Sequence, residues 1–387
     1  MSKAALTPAD VEFLVALRRD LHQHPELSWQ EGRTQERLER ALRESGVSDV
    51  RRVARTGLVA RIPGTTPGAP CVALRGDIDA LPITEATGLA CASVNDGVMH
   101  ACGHDMHAAW TVGAARLLAR TPAGGDVLVV LQPAEEVGEG ARAILESGAL
   151  DGARMIFGAH VDPRFDVGQV VAQPGPLAAS ADTFRVRLTG RGGHGARPHR
   201  AIDPIVGAAA LISSLQTLVS RSLDPGLPGV VTVGAVHAGN APNVIPEVAE
   251  LLGTIRATTV ASRTVLHEGV RRVAQGVAAA HGLTVEIVVT PGTPPLVNSP
   301  DAAAIAARAA AKVVGEPNVV PLGSTNMAGE DFACYLERMS GCFIRIGVRG
   351  PGGDVTDVHT PRFAPDEGAL AVGSRLLAEC ALLFAHS

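Results

Sequence analysis

Aromatic side chains are scarce in this chain. Only 3% of its 387 residues are aromatic, with Trp29, Trp110 and Tyr335 beside eight phenylalanines, so no aromatic cluster marks a pocket for an indole or benzoyl group. No Cys-x-x-Cys occurs, and without that pairing a closed structural zinc site is not expected. The six cysteines, at 71, 91, 102, 334, 342 and 380, are scattered, several of them in apolar runs. Small buried thiols are their ordinary explanation, and no disulfide is expected. A basic excess is also missing: the net charge is −5, which leaves no footprint for nucleic acid. The opening residues Met-Ser-Lys-Ala-Ala-Leu-Thr-Pro hold no apolar signal core, and no run reads as long enough to span a bilayer. A cytoplasmic chain without membrane or nucleic-acid partners is therefore expected. Its 46% hydrophobic and 19% charged residues suit a soluble globular enzyme of two domains.

Metal-competent side chains, by contrast, are concentrated. Residues His100 to His107 read His-Ala-Cys-Gly-His-Asp-Met-His, and thiolate with imidazole suits zinc or another late divalent ion. Two further segments, Leu131-Gln-Pro-Ala-Glu-Glu136 and Phe157-Gly-Ala-His160, end apolar runs on residues that can bind or serve a metal. Asp126-Val-Leu-Val-Val-Leu131 reads as a buried parallel strand, and in open α/β sheets the functional crevice lies beyond the carboxyl ends of such strands. Cys71-Val-Ala-Leu-Arg75 likewise delivers Asp77 and Asp79, and Arg154-Met-Ile-Phe157 delivers His160. With Cys102, His104, Glu136, His160 and the later His359, the supply exceeds what a three-ligand catalytic zinc needs, which points to two ions.

Periodicity divides the chain. Helical spacing covers Pro8 to His24 and Gly32 to Ser45, and strands and helices then alternate through Val72–Arg75, Asp105–Leu118, Val127–Leu131, Gly140–Glu146 and Met155–Ala159. That is the order of a mixed, largely parallel α/β sheet flanked by helices. Past Pro174-Gly-Pro176 the pattern reads strand (183–189), helix (203–221), strand (230–237), strand (248–257), helix (262–281), strand (284–289). This order fits an α+β four-stranded antiparallel sheet with two helices on one face. Pro291-Gly-Thr-Pro-Pro295 closes it. The expected organisation is a discontinuous metal-binding catalytic domain, 1–178 and 292–387, with residues 179–291 inserted as a lid and dimerisation domain.

Taken in order, Leu21-His-Gln-His-Pro-Glu-Leu27, Arg75-Gly-Asp-Ile-Asp-Ala-Leu-Pro82, His100 to His107, Gln132-Pro-Ala-Glu-Glu136, Gly190-Arg-Gly-Gly-His-Gly-Ala-Arg-Pro-His199, Asn243-Val-Ile-Pro246, Ala328-Gly-Glu-Asp-Phe332 and Val358-His-Thr-Pro361 resemble the signatures of one family. It is the metallopeptidase family of aminoacylases and carboxypeptidases, in the branch of hippurate hydrolases and auxin-conjugate amidohydrolases, whose fold is of the dinuclear-metal exopeptidase type. The resemblance implies two divalent ions per chain held by Cys102, His104, Glu136, His160 and His359, with Glu135 as catalytic base. It further implies His194 as donor to the tetrahedral oxyanion with Asn243 beside it, and Arg256 with the backbone around Gly329 as seats for a substrate carboxylate. Relatives dimerise through the small domain and supply this histidine in trans, so a homodimer is expected. Many members of the wider family carry a metal-binding His where Asp77 stands. Asp77 and Asp79 are accordingly read as residues supporting the ligands, and packing or supporting roles are expected for His100, His107 and His199.

The chemistry follows from charge. Two dications bring +4, while the Cys102 thiolate and Glu136 carboxylate return −2, so the site stays electrophilic and acidifies water that a neighbouring carboxylate can deprotonate. Glu135 and Glu136 are consecutive and cannot share one direction in an extended chain, so one can face metal and the other water. The expected reaction is hydrolysis of the linear amide bond of an N-acyl amino acid. Two other readings are a dipeptidase acting on free amino termini and a homologue that binds without cutting. The acyl group and the metal stay open, with zinc or manganese ahead of nickel or cobalt.

Overall fold

The computed structural model describes residues 5–384; Met1–Ala4 of the opening segment lie outside the described residues. In chain order the elements begin α1 (Pro8–Gln23), α2 (Gly32–Glu44), β1 (Asp49–Val53), β2 (Gly57–Ile62), β3 (Cys71–Asp77), α3 (His104–Arg120), β4 (Val127–Gln132), α4 (Gly140–Glu146), β5 (Ala153–Asp166) and β6 (Val170–Val171). Next come β7 (Gly175–Ala178), β8 (Ala181–Thr189), β9 (Gly193–His194), α5 (Pro204–Thr217), β10 (Gly229–Ala238), β11 (Val244–Ile245), β12 (Val248–Ala257), α6 (Val260–His281) and β13 (Thr284–Thr293). Last are β14 (Leu296–Asn298), α7 (Pro300–Val314), α8 (Ala333–Leu336), β15 (Ser340–Arg349) and α9 (Ala369–Phe384). Two compact units result, one of residues 1–175, 298–323 and 334–387, the other of 176–297 and 324–333.

In the first unit, seven strands form one sheet in the order β1-β2-β4-β3-β5-β15-β6. The central four are parallel, and β1, β2 and β6 join antiparallel at the margins. Every residue of β4 is buried, as expected of a strand covered on both faces. Helix α3 is buried nearly all round and packs with α9, α1 and α2 against the sheet. Its entry is set by Gly103, whose φ of 80° suits glycine and where a Cβ would sit 2.8 Å from Val161 Cγ2. This turn carries the chain from Cys102 straight into His104, the first residue of the helix.

The second unit pairs β10-β12-β8-β13, all antiparallel. Alternate residues Phe184, Val186 and Leu188 of β8 and Ala249, Leu251 and Ile255 of β12 face a core shared with Leu211 and Leu215 of α5 and Leu266 and Val270 of α6. The stretch Pro204–Ser222, with mean hydropathy 1.2, reaches the length and composition that could cross a membrane. Its Leu211, Leu215 and Leu218 are packed into this core.

Several strands run past their expected bounds, β13 to Thr293 rather than 289 and β3 to Asp77 rather than Arg75. β5 does not stop at Ala159 but runs on to Asp166, because β15 pairs with it through Arg349. His160 therefore lies inside a strand rather than past its end.

Candidate metal centre

Register brings the donor segments together within the first unit. Arg75 of β3 is level with Gly158 of β5, each two residues before Asp77 and His160 on its own strand. Next to β3, Gln132 closes β4 opposite Asp77, and the chain then turns to present Glu135 and Glu136. Gly140 permits that turn to close: a Cβ there would lie 1.6 Å from the Pro133 carbonyl oxygen. His359 arrives from the far C-terminal segment with a φ of 61° and its N–H bonded to the Ala101 carbonyl.

Cys102 sits at the middle of the resulting cluster. Its Sγ is 3.4 Å from His160 Nε2 and 3.3 Å from His359 Nε2. His359 Nε2 lies 3.6 Å from Glu136 Oε1, and His104 Nε2 lies 3.8 Å from both Glu136 Oε1 and Glu135 Oε2. Two overlapping donor groups result, Cys102–His104–His160 and Cys102–Glu136–His359, with Glu135 close to His104 and Glu136. A tetrahedral shell with bonds of about 2.0–2.3 Å has edges of roughly 3.3–3.8 Å, the range of these separations. Among the described residues, His104 Nε2 and Glu136 Oε1 are buried without a hydrogen-bond partner. Buried polar atoms are normally paired; a cation at this point satisfies both. Thiolate, imidazole and carboxylate donors fit a late divalent ion.

Electrostatics agree with that fit. Burial pushes the Glu136 carboxyl up to about 7, with Asp79 and Asp77 adding to the shift and His104 opposing it. Burial, then Glu136, pushes the Cys102 thiol well up. Burial holds the His160 imidazole well below its usual range, helped by His107 and Arg345, and also lowers His359. Desolvation thus penalises each ligand's charge and keeps the His160 and His359 imidazoles neutral and ready to coordinate, whereas at His104 burial is outweighed by Asp77, Cys102 and Asp79, which raise it well above its usual range; a dication would take the place of that proton and favour thiolate and carboxylate.

Supporting contacts orient the donors. Asp79 Oδ1 is 3.3 Å from His104 Nδ1, and the two Asp79 oxygens accept the amides of Glu135 and Glu136 at 3.1 and 3.0 Å. Asp77, His104 and His107 form a further group of donor atoms, but Asp77 and His107 are engaged elsewhere. Asp77 binds Arg75 Nη1 and His107 Nδ1, and His107 Nε2 accepts the Val161 amide. His160 Nδ1 bonds to the Val161 carbonyl, leaving Nε2 for the cluster. His100 is buried outside these donor groups, its pKa brought down to about 4 by burial.

The other site candidates lie in the second unit. His194 pairs with Val244, and its Nδ1 accepts the Ala196 amide, while the Asn243 carbonyl accepts the Gly195 amide. Both side chains are exposed. Arg256 donates to the Ile255 and Asp182 carbonyls. At Gly329 a Cβ would lie 2.7 Å from Thr293 Oγ1 and 2.8 Å from Ala181 Cβ. His199 is exposed in a short 3-10 turn, Pro198–Arg200. Sequence reasoning missed Glu31, a buried carboxylate bonded to the Ala134 amide; no local pattern links two positions so far apart in the chain.

Residues 73–383 match the profile of Peptidase family M20/M25/M40. The chain is 42% identical to an N-acetylcysteine deacetylase of Bacillus subtilis, covering 96% of each protein. It is 32% identical to thermostable carboxypeptidase 1 of Saccharolobus solfataricus, over 97% of this chain and 96% of the relative. Among solved structures, a dinuclear metal binding peptidase of the M20 family from Bacillus subtilis superimposes with a TM-score of 0.86 at 38% identity, covering 98% of this chain and 99% of the other.

Proposed function

Since the chain belongs to Peptidase family M20/M25/M40 and is a metal-dependent amidohydrolase, we propose that it cleaves the amide bond of N-acyl amino acids as a member of the hippurate hydrolase and auxin-conjugate amidohydrolase branch. The observation that carries this reading is the pair of buried atoms without hydrogen-bond partners, His104 Nε2 and Glu136 Oε1, 3.8 Å apart and beside Glu135. Cys102, His104, Glu136, His160 and His359 would hold two divalent ions, zinc or manganese. Bound there, the ions supply Lewis-acid polarisation of the amide carbonyl and acidify water.

Glu135 takes the proton of the attacking water and returns it to the departing amino nitrogen. Its neighbour Glu136 serves only as a ligand. From the second unit, His194 donates to the oxyanion with Asn243 beside it, while Arg256 and the Gly329 backbone receive the substrate carboxylate. Residues 1–178 and 292–387 act as the catalytic domain and 179–291 as a lid through which two chains dimerise. The N-acetylcysteine deacetylase relative supports a small acyl group on an amino acid; the carboxypeptidase relative favours a second reading, cleavage of peptides.

A panel of N-acetyl amino acids, N-benzoyl amino acids and dipeptides, assayed on protein of measured metal content, tests this. Hydrolysis of an N-acyl amino acid is expected. Cleavage of dipeptides alone would favour the peptidase reading, and metal-loaded protein that binds but cuts none would overturn catalysis.

A further inference from the structure

Among the described residues, five that are not glycine have φ in the left-handed region: Trp29 (66°), Ala54 (46°), Arg55 (63°), Ala134 (53°) and His359 (61°). Such conformations are strained and persist only where the surroundings over-determine them. Four of the five gather around one side chain, Glu31, which is fully buried. Its Oε1 accepts the Ala134 amide at 2.9 Å, and its Oε2 accepts the Thr56 hydroxyl at 2.6 Å, directly after Ala54 and Arg55. Trp29 lies two residues before it and donates from Nε1 to Glu139 Oε2 at 2.8 Å. One helical turn along α2, Gln35 Nε2 donates to the carbonyls of Arg55 and Gly57 at 3.2 and 3.0 Å.

Three consecutive amides, Ala134, Glu135 and Glu136, are thus each received by a buried carboxylate: the first by Glu31, the next two by Asp79. Ser28 ties the same loop to Asp79 through a 2.7 Å hydrogen bond. Among the described residues, Glu31 belongs to no donor group that could hold an ion. A desolvated carboxylate is a costly way to brace a turn, and this one braces the turn that aims Glu135 and Glu136.

We propose that Glu31 is a positioning residue for the reaction: its carboxylate locks Ala134 in the left-handed conformation that sends Glu135 and Glu136 in their separate directions. The proposal rests on the reading of Glu135 as base and Glu136 as ligand. If Ala134 relaxes to negative φ, both glutamates swing, and a displacement near 1 Å in a catalytic group costs on the order of 10²-fold in rate.

The test measures kcat and KM for an N-acetyl amino acid, metal content and thermal midpoint on the full-length, metal-loaded protein. Glu31→Gln should keep kcat within about threefold, because its amide oxygen still accepts the Ala134 N–H and its NH2 can donate to Thr56. Glu31→Leu should lose roughly 10²-fold in kcat with KM little changed. Adding Ala134→Gly to Glu31→Leu should restore at least about tenfold, since glycine takes positive φ without penalty; a purely structural loss would not respond to that second change. Should Glu31→Leu fail to fold, Thr56→Val, which removes one of the two hydrogen bonds, carries the same test with a loss of about tenfold, again reversed by Ala134→Gly. A loss in kcat below about threefold in Glu31→Leu, or one that Ala134→Gly leaves unchanged, overturns the proposal. Glu135→Gln run alongside separates the two levels. If it stays fully active, the assignment of the base fails; if it is inactive while Glu31→Leu is active, only the role of Glu31 falls.

Discussion

Glu135 and Glu136 are chemically identical neighbours, so the separate tasks proposed for them rest on backbone direction alone. Both lie within reach of His104 Nε2, but only Glu136 Oε1 also lies near His359. Glu135→Gln is therefore expected to keep fold and metal while kcat falls by about 10³-fold or more, because an amide cannot accept the proton of water. Glu136→Gln should instead lose metal, and Cys102→Ser, which removes the donor shared by both groups, should lose metal and activity together. Elemental analysis beside kcat for the three variants checks this; metal loss from both glutamine variants would remove the distinction. At this scale the donors were legible because Cys, His and Glu in tight spacing are chemically conspicuous. Glu31 and the two-amide grip of Asp79 were not, since a carboxylate's hydrogen bond to a backbone amide across the fold leaves no mark in the sequence.

Elements place these residues through their ends and registers. The apolar runs behind β3 and β4 announced buried parallel strands, and Asp77 at the end of β3 and the glutamates after β4 follow from them. The continuation of β5 past Ala159 was hidden, because Asp162, Pro163 and Arg164 interrupt the apolar run, whereas β15 pairs with Asp162 and again with Asp166 across an irregularity between them. Between Cys102 and α3, Gly103 is the critical joint. Gly103→Ala places a Cβ at positive φ and 2.8 Å from Val161 Cγ2, so it should lower the thermal midpoint and weaken metal binding by splaying Cys102 from His104. Calorimetry with metal competition would show it; an unchanged midpoint and unchanged affinity would mean the turn tolerates a side chain.

For the whole molecule, a buried ion-pair network on α1 and α3 contributes to how stability depends on pH. His22, buried on α1, lies 3.2 Å from Glu85 and 2.9 Å from Asp105. Burial opposes ionisation of Glu85, yet hydrogen bonds from His22, Thr87 and the Ser93 amide bring its pKa down to about 2 from 4.5. Its stabilisation is present above 4.5 and is lost as pH falls from there toward 2. His22 is raised from 6.5 despite burial, through Asp105 and Glu85; its share is full below 6.5 and disappears as pH rises through the raised value. Glu85→Gln should flatten the acid limb of stability against pH measured by urea unfolding, and an acid limb identical to that of the parent would refute it. Assembly carries a further prediction. Mixing His194→Ala with Glu135→Gln chains under subunit exchange should regain up to about half of normal activity per dimer if His194 serves its partner, and no recovery despite verified exchange would place it within its own chain or outside catalysis.

The central claim is a two-ion amidohydrolase, and stoichiometric titration of metal-free protein with zinc or manganese, followed by hydrolysis of an N-acetyl amino acid, tests it most directly. Activity is predicted to be absent without metal and to saturate at two ions per chain. Saturation at one ion, or full turnover in rigorously metal-free protein, would contradict it.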